Sequence, residues 1–587
     1  MLNIRRIVMI IIILVFLAAF VQYFRTGFID SSSHDEALKK SDVVVMAKDD
    51  ELNEKFLLVI DSQNTRLEAV EYQFTQVLDI MKMSYDLIEV DDFKQMSDDY
   101  DYHVFILRDL TKLTDIEGVF QYVYDGGRVI FPLALEFNDT FSGIFRLLGI
   151  TEHGEFEVTK GLKIEDGFMV NAHMVSNEMT KHLENTAIAV QLNQQTELLL
   201  SSKSGLSLAW KYPYGQGMIA YFNGTLLGQK ENRGLIVGLI NAVRPIKVYP
   251  VMNNQVHVIE GMPSPIPSGN SEKIFNAYKR STLRFYKEIW WPDLTEMGSR
   301  FNILFTGSII GTYDDYISND LSQYYFIKRD NLSIFGRELL NSQGEIAMGG
   351  FNKRPLESGE HWHSNSEIIE AINLVKEFFQ VVFVEYKMKS FIPVDNHMSQ
   401  EVIDLLLSED YLVFTSHYYG EKGGFLQEYV VHDRYVEHPI VTKGYTIEGE
   451  KLWTIYNSIV SHGHLSHRIA FDDIFDENRS EQMQWKEMYE GLYDYYQLIS
   501  REYSWLESMT LTESAKRLID TYNVNPNYRE NNNLLEINSV NINKQQYYLI
   551  KDSRRIRKVN GGEITNIDDH YYLLKATDKQ TIVEFER

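Results

Sequence analysis

The chain has 587 residues and no cysteine, with 83 acidic against 57 basic side chains and a formal net charge of −26. The absence of cysteine excludes disulfides, thiol catalysis and Cys-ligated zinc, and so acidic a surface repels nucleic acid. Hydrophobic residues make up 44% of the chain and aromatic residues 13%. This composition predicts about three to four folded domains and excludes a disordered chain.

The N-terminus contains an apolar segment, Ile7–Phe24, directly after Arg5 and Arg6. As a helix these residues span about 27 Å, which is enough to cross a bilayer core. The bulky Phe20 after two alanines makes a poor cleavage site, so we favour an uncleaved anchor over a signal peptide. The arginines favour a cytoplasmic N-terminus. We therefore expect residues 1–29 to hold a single-pass cell-membrane anchor, residues 30–54 to form a linker and the remaining chain to be extracytoplasmic.

Strand and helix patterns alternate over residues 55–245 and predict a parallel, doubly wound α/β sheet. A small antiparallel insertion is expected within residues 155–215. Helices are expected near residues 66–83, 114–124 and 232–243. The predicted strands are Phe56–Ile60, Tyr85–Val90, His103–Leu107, Arg128–Pro132 and Met218–Phe222.

Residues 246–530 again alternate between strand and helix patterns and predict an incomplete β/α barrel with a helical extension. In such a barrel the functional site lies at the carboxyl ends of the strands. Residues 531–587 hold short β-prone runs and predict a β-sandwich or meander. The predicted barrel strands are Val256–Ile259, Phe301–Phe305, Val381–Glu385, Tyr411–Ser416 and His467–Phe471, and helices are expected near 270–288, 364–378, 398–409 and 450–460.

Several residues of the predicted barrel could carry chemistry. Glu260 ends a strand, where a general acid or base is often found, although a charged loop residue is equally compatible with this position. Asp314 and Asp315 could bind a metal or cap a helix. Imidazoles and carboxylates together suit a divalent ion. Two such sets occur, His361 with His363, and His462, His464 and His467 followed by Asp472 and Asp473.

The first domain resembles the glutamine-amidotransferase-like, flavodoxin-related sheet of exported bacterial proteins. The resemblance depends on the strand pattern, on Asp125-Gly126-Gly127-Arg128 and on Gly215-Gln216-Gly217-Met218 before a strand. An amidotransferase of that family needs a cysteine nucleophile, which this chain lacks. The resemblance therefore implies a sheet used for interaction or support.

The barrel region resembles the membrane-anchored, polysaccharide-deacetylase-like (NodB-related) proteins encoded with Pel-type exopolysaccharide genes in Gram-positive bacteria. The similarity covers most of residues 250–510. The matching segments are Ile259–Pro265, Met348–Leu356, Ser390–Pro393, Gly463–Asp473, Asn478-Arg479, Trp485 and Tyr503–Leu506.

The resemblance also implies that the metal site is degenerate. Where the family has the catalytic Asp-Asp pair, this chain has Glu260 and Gly261, and where it has His-x-x-x-His, this chain has Gly349 and Lys353. Glycine offers no ligand atom and a lysine ammonium has no lone pair. We expect no bound metal or other cofactor, and we expect Lys353 to pair with Glu260 or to hold an acidic or acetylated sugar.

The late motif of the family is also incomplete. The family places a histidine before Pro-Asp-Asp, whereas here Ala470 and Phe471 precede Asp472 and Asp473, so that only His467 and the two aspartates remain. The catalytic candidates are therefore Glu260, His467, Asp472 and Asp473.

We interpret the chain as a membrane-anchored extracellular pseudoenzyme of exopolysaccharide biosynthesis and biofilm matrix production. Its barrel is expected to bind or guide polysaccharide, through Glu260, Lys353 and aromatic rings, or to scaffold other synthesis proteins. The aromatic candidates for stacking on sugar rings are Phe351, Trp362, Tyr418 and Tyr419.

Two alternatives remain open at this stage. One is an active carbohydrate enzyme. It would be either a metal-dependent deacetylase, with a divalent ion such as zinc, using Asp314 and Asp315 or His361 and His363, or a glycosidase using Glu260 with a second carboxylate. The other is a receptor for a protein partner that has no affinity for glycans.

Overall fold

A computed structural model describes residues 38–43, 54–313, 329–359, 362–394, 398–418, 427–543 and 545–586. The predicted anchor and most of the linker lie outside these ranges. Within them, no helix combines the length and the apolar composition needed to cross a membrane.

The N-terminal part is built on an eight-stranded sheet in the order β2-β1-β3-β4-β10-β9-β8-β6. The first five strands of this order are parallel, and β9, β8 and β6 extend the sheet in antiparallel fashion. β5 and β7 form a separate two-stranded ribbon. The strands are β1 (Lys55–Ile60), β2 (Ser84–Glu89), β3 (Tyr102–Ile106), β4 (Arg128–Phe131), β5 (Ile150–Lys160), β6 (Leu162–Ile164), β7 (Glu184–Leu192), β8 (Glu197–Ser202), β9 (Ser207–Tyr214) and β10 (Gly217–Phe222).

Helices cover this sheet, and α5 is buried along its whole length. β1 is buried over five of its six residues, as its continuous apolar run requires for a strand covered on both faces. The helices are α1 (Glu68–Ile80), α2 (Ile116–Tyr124), α3 (Asp139–Ile144), α4 (Asn177–Thr180) and α5 (Arg233–Val243).

The central part is a curled, mainly parallel sheet in the order β17-β18-β16-β15-β14-β13-β12-β20-β19, with β21 also paired to β12. The short β19 follows β18 in the chain and pairs with β20, which brings the two sides of the curl together. β11 (Val248–Val251) precedes this sheet in the chain and is not part of it. The strands of the sheet are β12 (Asn254–Glu260), β13 (Phe305–Ile310), β14 (Glu345–Gly350), β15 (Ser390–Phe391), β16 (Val413–His417), β17 (Val430–Val431), β18 (Val436–Ile440), β19 (Thr442–Lys443), β20 (His464–Ala470) and β21 (Glu507–Met509).

Helices surround the curled sheet, and α14 begins with a capping box formed by Thr510 and Glu513. The helices are α6 (Glu272–Tyr278), α7 (Thr282–Phe285), α8 (Trp291–Phe301), α9 (Arg329–Asn341), α10 (Asn365–Val382), α11 (Gln400–Leu407), α12 (Glu450–His462), α13 (Trp485–Glu502) and α14 (Leu511–Asn523).

The C-terminal part is a sandwich of two four-stranded sheets, β11-β24-β27-β26 and β22-β23-β28-β25. Apolar side chains from both sheets share one core. β11, which precedes the barrel in the chain, supplies an edge strand. The remaining strands are β22 (Asn525–Asn531), β23 (Leu534–Val540), β24 (Gln546–Lys551), β25 (Ile556–Asn560), β26 (Gly562–Asn566), β27 (Tyr571–Ala576) and β28 (Gln580–Phe585).

Two predicted barrel strands are wrong. Phe301–Phe305 begins as the last residue of α8, which Asn302 ends in a left-handed conformation, and the strand starts only at Phe305. Val381–Glu385 begins as the end of α10 and continues as a loop. The apolar residues before it are spaced as on a helix face, and Val384 is 79% exposed, so this run has no buried strand environment.

A buried ion pair fixes the N-terminal sheet on the barrel. Arg233 on α5 donates two hydrogen bonds of 2.7 Å to the carboxylate of Glu428, just before β17. Its Nε donates to Gln73 of α1 at 2.7 Å. The Nζ of Lys230 lies 3.3 Å from the same carboxylate and donates to the carbonyl of Tyr418 at 3.0 Å. Burial lowers the pKa of Lys230 to about 7, and it would raise that of Glu428, but Arg233 holds the Glu428 pKa below its ordinary value.

We expect Glu428→Gln to lower the free energy of unfolding by about 3–5 kcal/mol, because it leaves two buried cations without a negative partner. Urea unfolding followed by circular dichroism measures the loss. Glu184→Gln is the control, since Glu184 pairs with Lys160 at 3.0 Å on the surface and its removal should leave stability unchanged. Equal stability of the two variants would contradict the role assigned to Glu428.

Candidate functional site

The site is centred on Glu260, the last residue of β12. Every residue of this strand is buried, because β13 and β20 pair with it on either side and helices cover the sheet. The carboxyl end of the strand therefore carries the Glu260 carboxylate to the mouth of the curled sheet. Arg468 of β20 points to the same face, and its Nη1 lies 2.9 Å from Glu260 Oε2.

Lys353 connects Glu260 to a second carboxylate. It follows β14 in a loop that begins at Gly350, whose φ of 125° suits glycine. Its Nζ lies 2.5 Å from Glu260 Oε1 and 3.2 Å from Asp472 Oδ1. The pairing of Lys353 with Glu260 that the sequence suggests is thus present, and the ammonium bridges two carboxylates.

Arg479 closes the cluster on its outer side. Its Nη2 lies 2.9 Å from Asp472 Oδ2, its Nη1 lies 3.0 Å from Asp473 Oδ1, and its Nε lies 3.4 Å from Asp476 Oδ2. Asp472 and Asp473 occupy the 3-10 turn Phe471–Phe475 that follows β20. The Arg479 side chain is 45% exposed, so it is the main group of the cluster that faces solvent. We refer to Glu260, Lys353, Arg468, Asp472, Asp473 and Arg479 as the mouth cluster.

The charges of the mouth cluster stabilise one another. Burial by itself raises the pKa of Glu260, but Arg468 and Lys353 outweigh it and hold that pKa at about 2. Burial lowers the pKa of Lys353, yet Glu260 and Asp472 leave it above its ordinary value. Burial raises the pKa of Asp473 to about 6, although Arg479 acts in the opposite direction. At neutral pH Glu260 and Lys353 are therefore both charged and form an ion pair.

Gly261 and Tyr313 determine the shape of the mouth beside Glu260. Gly261 has a φ of 71°, and a Cβ built on it would stand 2.4 Å from the Tyr313 hydroxyl. The tyrosine therefore occupies the space that a carboxylate at position 261 would need. Its own pKa is raised by burial and by the neighbouring Asp472 and Glu260.

The predicted histidines do not join the mouth cluster. His467 lies on the opposite face of β20 from Arg468, where its Nδ1 lies 2.9 Å from Thr442 Oγ1 and its Nε2 lies 2.8 Å from the Gly444 carbonyl. His462 ends α12 beside Ser461, and His464 contacts Asn254 at the amino end of β12. Burial lowers the pKa of His462 and of His467 to about 3, so these rings are neutral.

Of the residues of the alternative metal site, only His363 lies within the described part of the chain. His363 is 95% exposed and pairs with Glu367 at 3.1 Å. Asp314, Asp315 and His361 lie outside the described residues. Among the residues that are described, no group of three or more His, Asp and Glu side chains is arranged to hold a metal ion.

The aromatic candidates are not open sugar platforms. Phe351, Trp362 and Tyr418 are all buried, which corrects the expectation that their ring faces meet a sugar at the mouth. The Trp362 indole donates to the Pro355 carbonyl at 3.0 Å, and the Tyr418 ring packs 3.8 Å from Lys230 Nζ. These rings stabilise the core, as most aromatic side chains do. Tyr419 lies outside the described residues.

Sequence reasoning missed Arg468 and Arg479 as members of the site. Both occur in the segments that carry the deacetylase resemblance, but neither stands at a family ligand position. The available signal was strand alternation. It places Arg468 on the same face of β20 as Ala470, and Ala470 is the register partner of Glu260 on the neighbouring strand.

Comparisons with known proteins identify a family and a fold. A family model described as "uncharacterised protein conserved in bacteria (DUF2194)" matches residues 8–191 and 183–573. A search of curated proteins finds no match. The crystal structure of Agd3, described as a novel carbohydrate deacetylase, covers 91% of this chain and 99% of its own at 8% identity, with a TM-score of 0.52. The deacetylase-like α/β fold is thereby confirmed, whereas the NodB, amidotransferase and Pel-type relationships remain predictions.

Two other structures match only part of the chain. The exo-β-1,4-mannosidase Op5Man5 from Opitutaceae bacterium strain TAV5 covers 30% of this chain and 32% of its own at 11% identity, with a TM-score of 0.23. A ThuA-like protein from Parabacteroides merdae ATCC 43184 covers 32% of this chain and 90% of its own at 12% identity, with a TM-score of 0.27. Both TM-scores are too low to indicate a shared fold.

We expect Glu260→Gln to lower the free energy of unfolding at pH 7 by about 3–5 kcal/mol, since Lys353 and Arg468 lose their shared negative partner. The folded pKa of about 2 lies below the ordinary 4.5, so the carboxylate stabilises the fold above pH 4.5. This contribution is lost as the pH falls from about 4.5 to 2 in the wild type and is missing from the variant. Urea unfolding at several pH values measures both effects.

Glu288→Gln is the matched control for Glu260→Gln. Glu288 also lies between two cations, Arg280 at 2.6 Å and Arg284 at 2.7 Å, but on the surface. Its removal should leave stability at pH 7 unchanged. If Glu288→Gln lowered the free energy of unfolding as much as Glu260→Gln does, burial would not determine how much the ion pairs of the mouth cluster contribute to stability.

We expect Gly261→Ala to destabilise the protein by about 1–2 kcal/mol, because an L-residue is strained at its positive φ. The added methyl group would also displace the Tyr313 hydroxyl. Gly143→Ala on α3 is the control, since a Cβ there meets nothing within 4 Å and alanine favours a helix. Differential scanning calorimetry compares the two, and an unchanged melting temperature for Gly261→Ala would contradict the conformation described here.

Proposed function

Because the chain belongs to the bacterial DUF2194 family and has the fold of Agd3, we propose that it is a carbohydrate-binding protein of exopolysaccharide production. In this proposal the barrel mouth binds sugar without hydrolysing it. The observation that carries the proposal is the position of Lys353 Nζ between the carboxylates of Glu260 and Asp472.

A lysine ammonium cannot do the work of a catalytic metal. A divalent ion that bridged these carboxylates would keep an open position for water and lower its pKa, whereas an ammonium only donates hydrogen bonds. Both carboxylates are already neutralised by Lys353, Arg468 and Arg479. These pairs favour a site that holds a ligand over one that activates a water molecule.

The exposed groups of the mouth indicate which ligand would suit it. Arg479 is 45% exposed and Lys353 is 18% exposed, whereas Glu260 is only 5% exposed. A ligand entering the mouth therefore meets the N–H donors of Arg479, with the 42% exposed Asp476 beside them, before it reaches Glu260. Such donors bind carboxylates strongly and bind acetyl carbonyls well. We therefore propose an acidic or N-acetylated sugar as the ligand.

The cellular setting belongs to the same proposal. The apolar segment after Arg5 and Arg6 would anchor the chain in the cell membrane with the barrel outside, where it would meet a growing polysaccharide of a Pel-like pathway or other synthesis proteins. The N-terminal sheet would then support the barrel through Arg233 and Glu428.

An active hydrolase is the competing function, and Asp473 is the observation in its favour. A pKa of about 6 suits a general acid or base near neutral pH. The other carboxylates of the mouth do not suit a partner role, because Glu260 is held ionised by two cations and Asp472 lies between Lys353 and Arg479. Binding without turnover therefore agrees better with the geometry.

We expect the full-length protein to bind chitotetraose or tetragalacturonate in isothermal titration calorimetry, and Lys353→Ala to weaken this binding at least about tenfold through loss of a charged hydrogen bond. Lys558→Ala removes an exposed lysine of the C-terminal sandwich and should leave the affinity unchanged. EDTA or added zinc should change neither the affinity nor the melting temperature.

Two outcomes would contradict the proposed function. The first is release of acetate from chitotetraose that EDTA abolishes and zinc restores, which would indicate an active metal deacetylase. The second is equal binding by the wild type and Lys353→Ala, provided that the variant keeps the wild-type circular dichroism spectrum.

A further inference from the structure

Three lysines come together where the N-terminal sheet meets the C-terminal sandwich. Lys211 lies on β9, Lys247 directly precedes β11 and Lys551 ends β24. The Lys551 backbone N–H donates to the Lys247 carbonyl at 2.9 Å, so these two residues lie directly opposite each other in an antiparallel strand pair. Their Cβ atoms are therefore about 5 Å apart on one face of the sheet. We refer to the three residues as the lysine cluster.

The side chains of the lysine cluster point away from the sandwich core and reach solvent. Val248 and Ile550 beside them belong to that core, and successive side chains of a strand point to opposite faces. Lys247 and Lys551 are half-buried, and neither ammonium nitrogen is sealed from solvent. The Lys211 side chain is 25% exposed. A ligand can therefore reach the cluster from solvent.

Two of the three ammonium groups have no anionic partner. Among the described residues, no ion pair and no side-chain hydrogen bond is formed by Lys247 or Lys551. Burial, together with the positive charges of Lys247 and Lys211, lowers the pKa of Lys551 to about 7. The pKa of Lys247 is lowered by burial and by Lys211. Like charges directly opposite each other destabilise a sheet, and a chain with a net charge of −26 has many carboxylates that could pair with them. The arrangement therefore calls for an explanation beyond packing.

The carboxylates near these two lysines are held by other groups. Those that act on the pKa of one or both lysines are Glu197, Glu530, Asp552 and Asp568. Glu197 pairs with Lys211 at 2.9 Å. Glu530 and Asp552 both pair with Arg554, each at 2.6 Å. Asp568 accepts a hydrogen bond of 2.8 Å from the backbone N–H of Asn171. The fold therefore leaves the positive charge of the cluster available to an anion from outside the chain.

We infer that the lysine cluster binds a phosphate group, either as the free ion or as part of a larger molecule. Lysine binds phosphate as a point charge, and each ammonium offers three N–H donors. A phosphate group carries about 1.5 to 2 negative charges at neutral pH, which matches the two unpaired ammonium groups better than the single charge of a sugar carboxylate does. This inference is independent of the proposed function, because the cluster shares no residue with the mouth.

The test adds sodium phosphate to the full-length protein in HEPES buffer and measures the affinity by calorimetry and the melting temperature by scanning fluorimetry. We expect phosphate to raise the melting temperature more than sodium chloride of equal ionic strength, since a ligand stabilises the state that binds it. Lys551→Met and Lys247→Met should each weaken phosphate binding at least about tenfold. Without phosphate, both variants should melt above the wild type, because the repulsion between the opposed lysines is removed.

Glu197→Gln should have the opposite effect and tighten phosphate binding, because it releases Lys211 from its ion pair. Lys558→Ala removes an exposed lysine of the same sandwich and should leave the phosphate affinity unchanged. Lys353→Ala at the mouth should also leave it unchanged, which separates this inference from the proposed function.

Glucose 1-phosphate distinguishes the two sources of the phosphate group. Affinity at least about tenfold higher than that of inorganic phosphate indicates a phosphorylated sugar as the ligand, whereas equal affinity indicates the free ion. The inference is overturned if phosphate acts no differently from sodium chloride on the wild type. It is also overturned if Lys551→Met and Lys247→Met both keep the wild-type affinity, or if Lys353→Ala abolishes phosphate binding, a result that leaves the proposed function standing.

Discussion

A carboxylate buried at the end of β12 stays ionised only beside positively charged side chains, and this requirement determines how the barrel mouth is arranged. Glu260 lies where water is excluded, so its ionised form is tolerable only beside cations. β20 supplies Arg468, and the loop after β14 supplies Lys353. Asp472 then pairs with Lys353, and Arg479 pairs with Asp472. Segments more than two hundred residues apart are thus brought to one point by the neutralisation of a single charge.

Buried ion pairs of this kind contribute more to a defined arrangement than to net stability, because desolvation offsets most of the Coulomb attraction. In the mouth cluster together with Asp476, four carboxylates face only three cations. Burial, with a smaller contribution from the neighbouring carboxylates, raises the pKa of Asp473 to about 6. The N-terminal sheet is attached to the barrel by the same kind of interaction, since Glu428 forms ion pairs with both Arg233 and Lys230. Both the mouth and the domain junction therefore depend on one carboxylate shared by two cations.

The sequence predicts much of the fold, because long apolar runs such as Phe56–Ile60 and Val256–Ile259 leave little choice but buried strands. It fails where the local pattern is ambiguous. β14 contains two glycines and β18 contains Pro439, and these residues are unfavourable in strands, so the sequence pattern indicates neither strand. The helical spacing of α10 extends into residues 381–385, an apolar run that resembles a strand. At the site, motif positions identify Glu260 and Lys353 as a pair. Arg468 and Arg479 emerge only from strand register and loop geometry, and the burial of Trp362 depends on packing that no local pattern records.

The pairing of β11 with β24 has a consequence for the synthesis of the protein. Val248 lies opposite Ile550, so neighbouring strands of one sheet are separated by about 300 residues of chain. While the chain is being made, β11 stays without this partner until the last part of the sandwich has emerged, although the barrel between them is already complete in length. Such long-range pairing slows folding, and an unpaired strand edge invites association with other chains. A chain whose synthesis stops before β24 would leave β11 as an unpaired strand edge at the base of the barrel. The C-terminal sandwich is therefore the last part of the nascent chain to cover this edge.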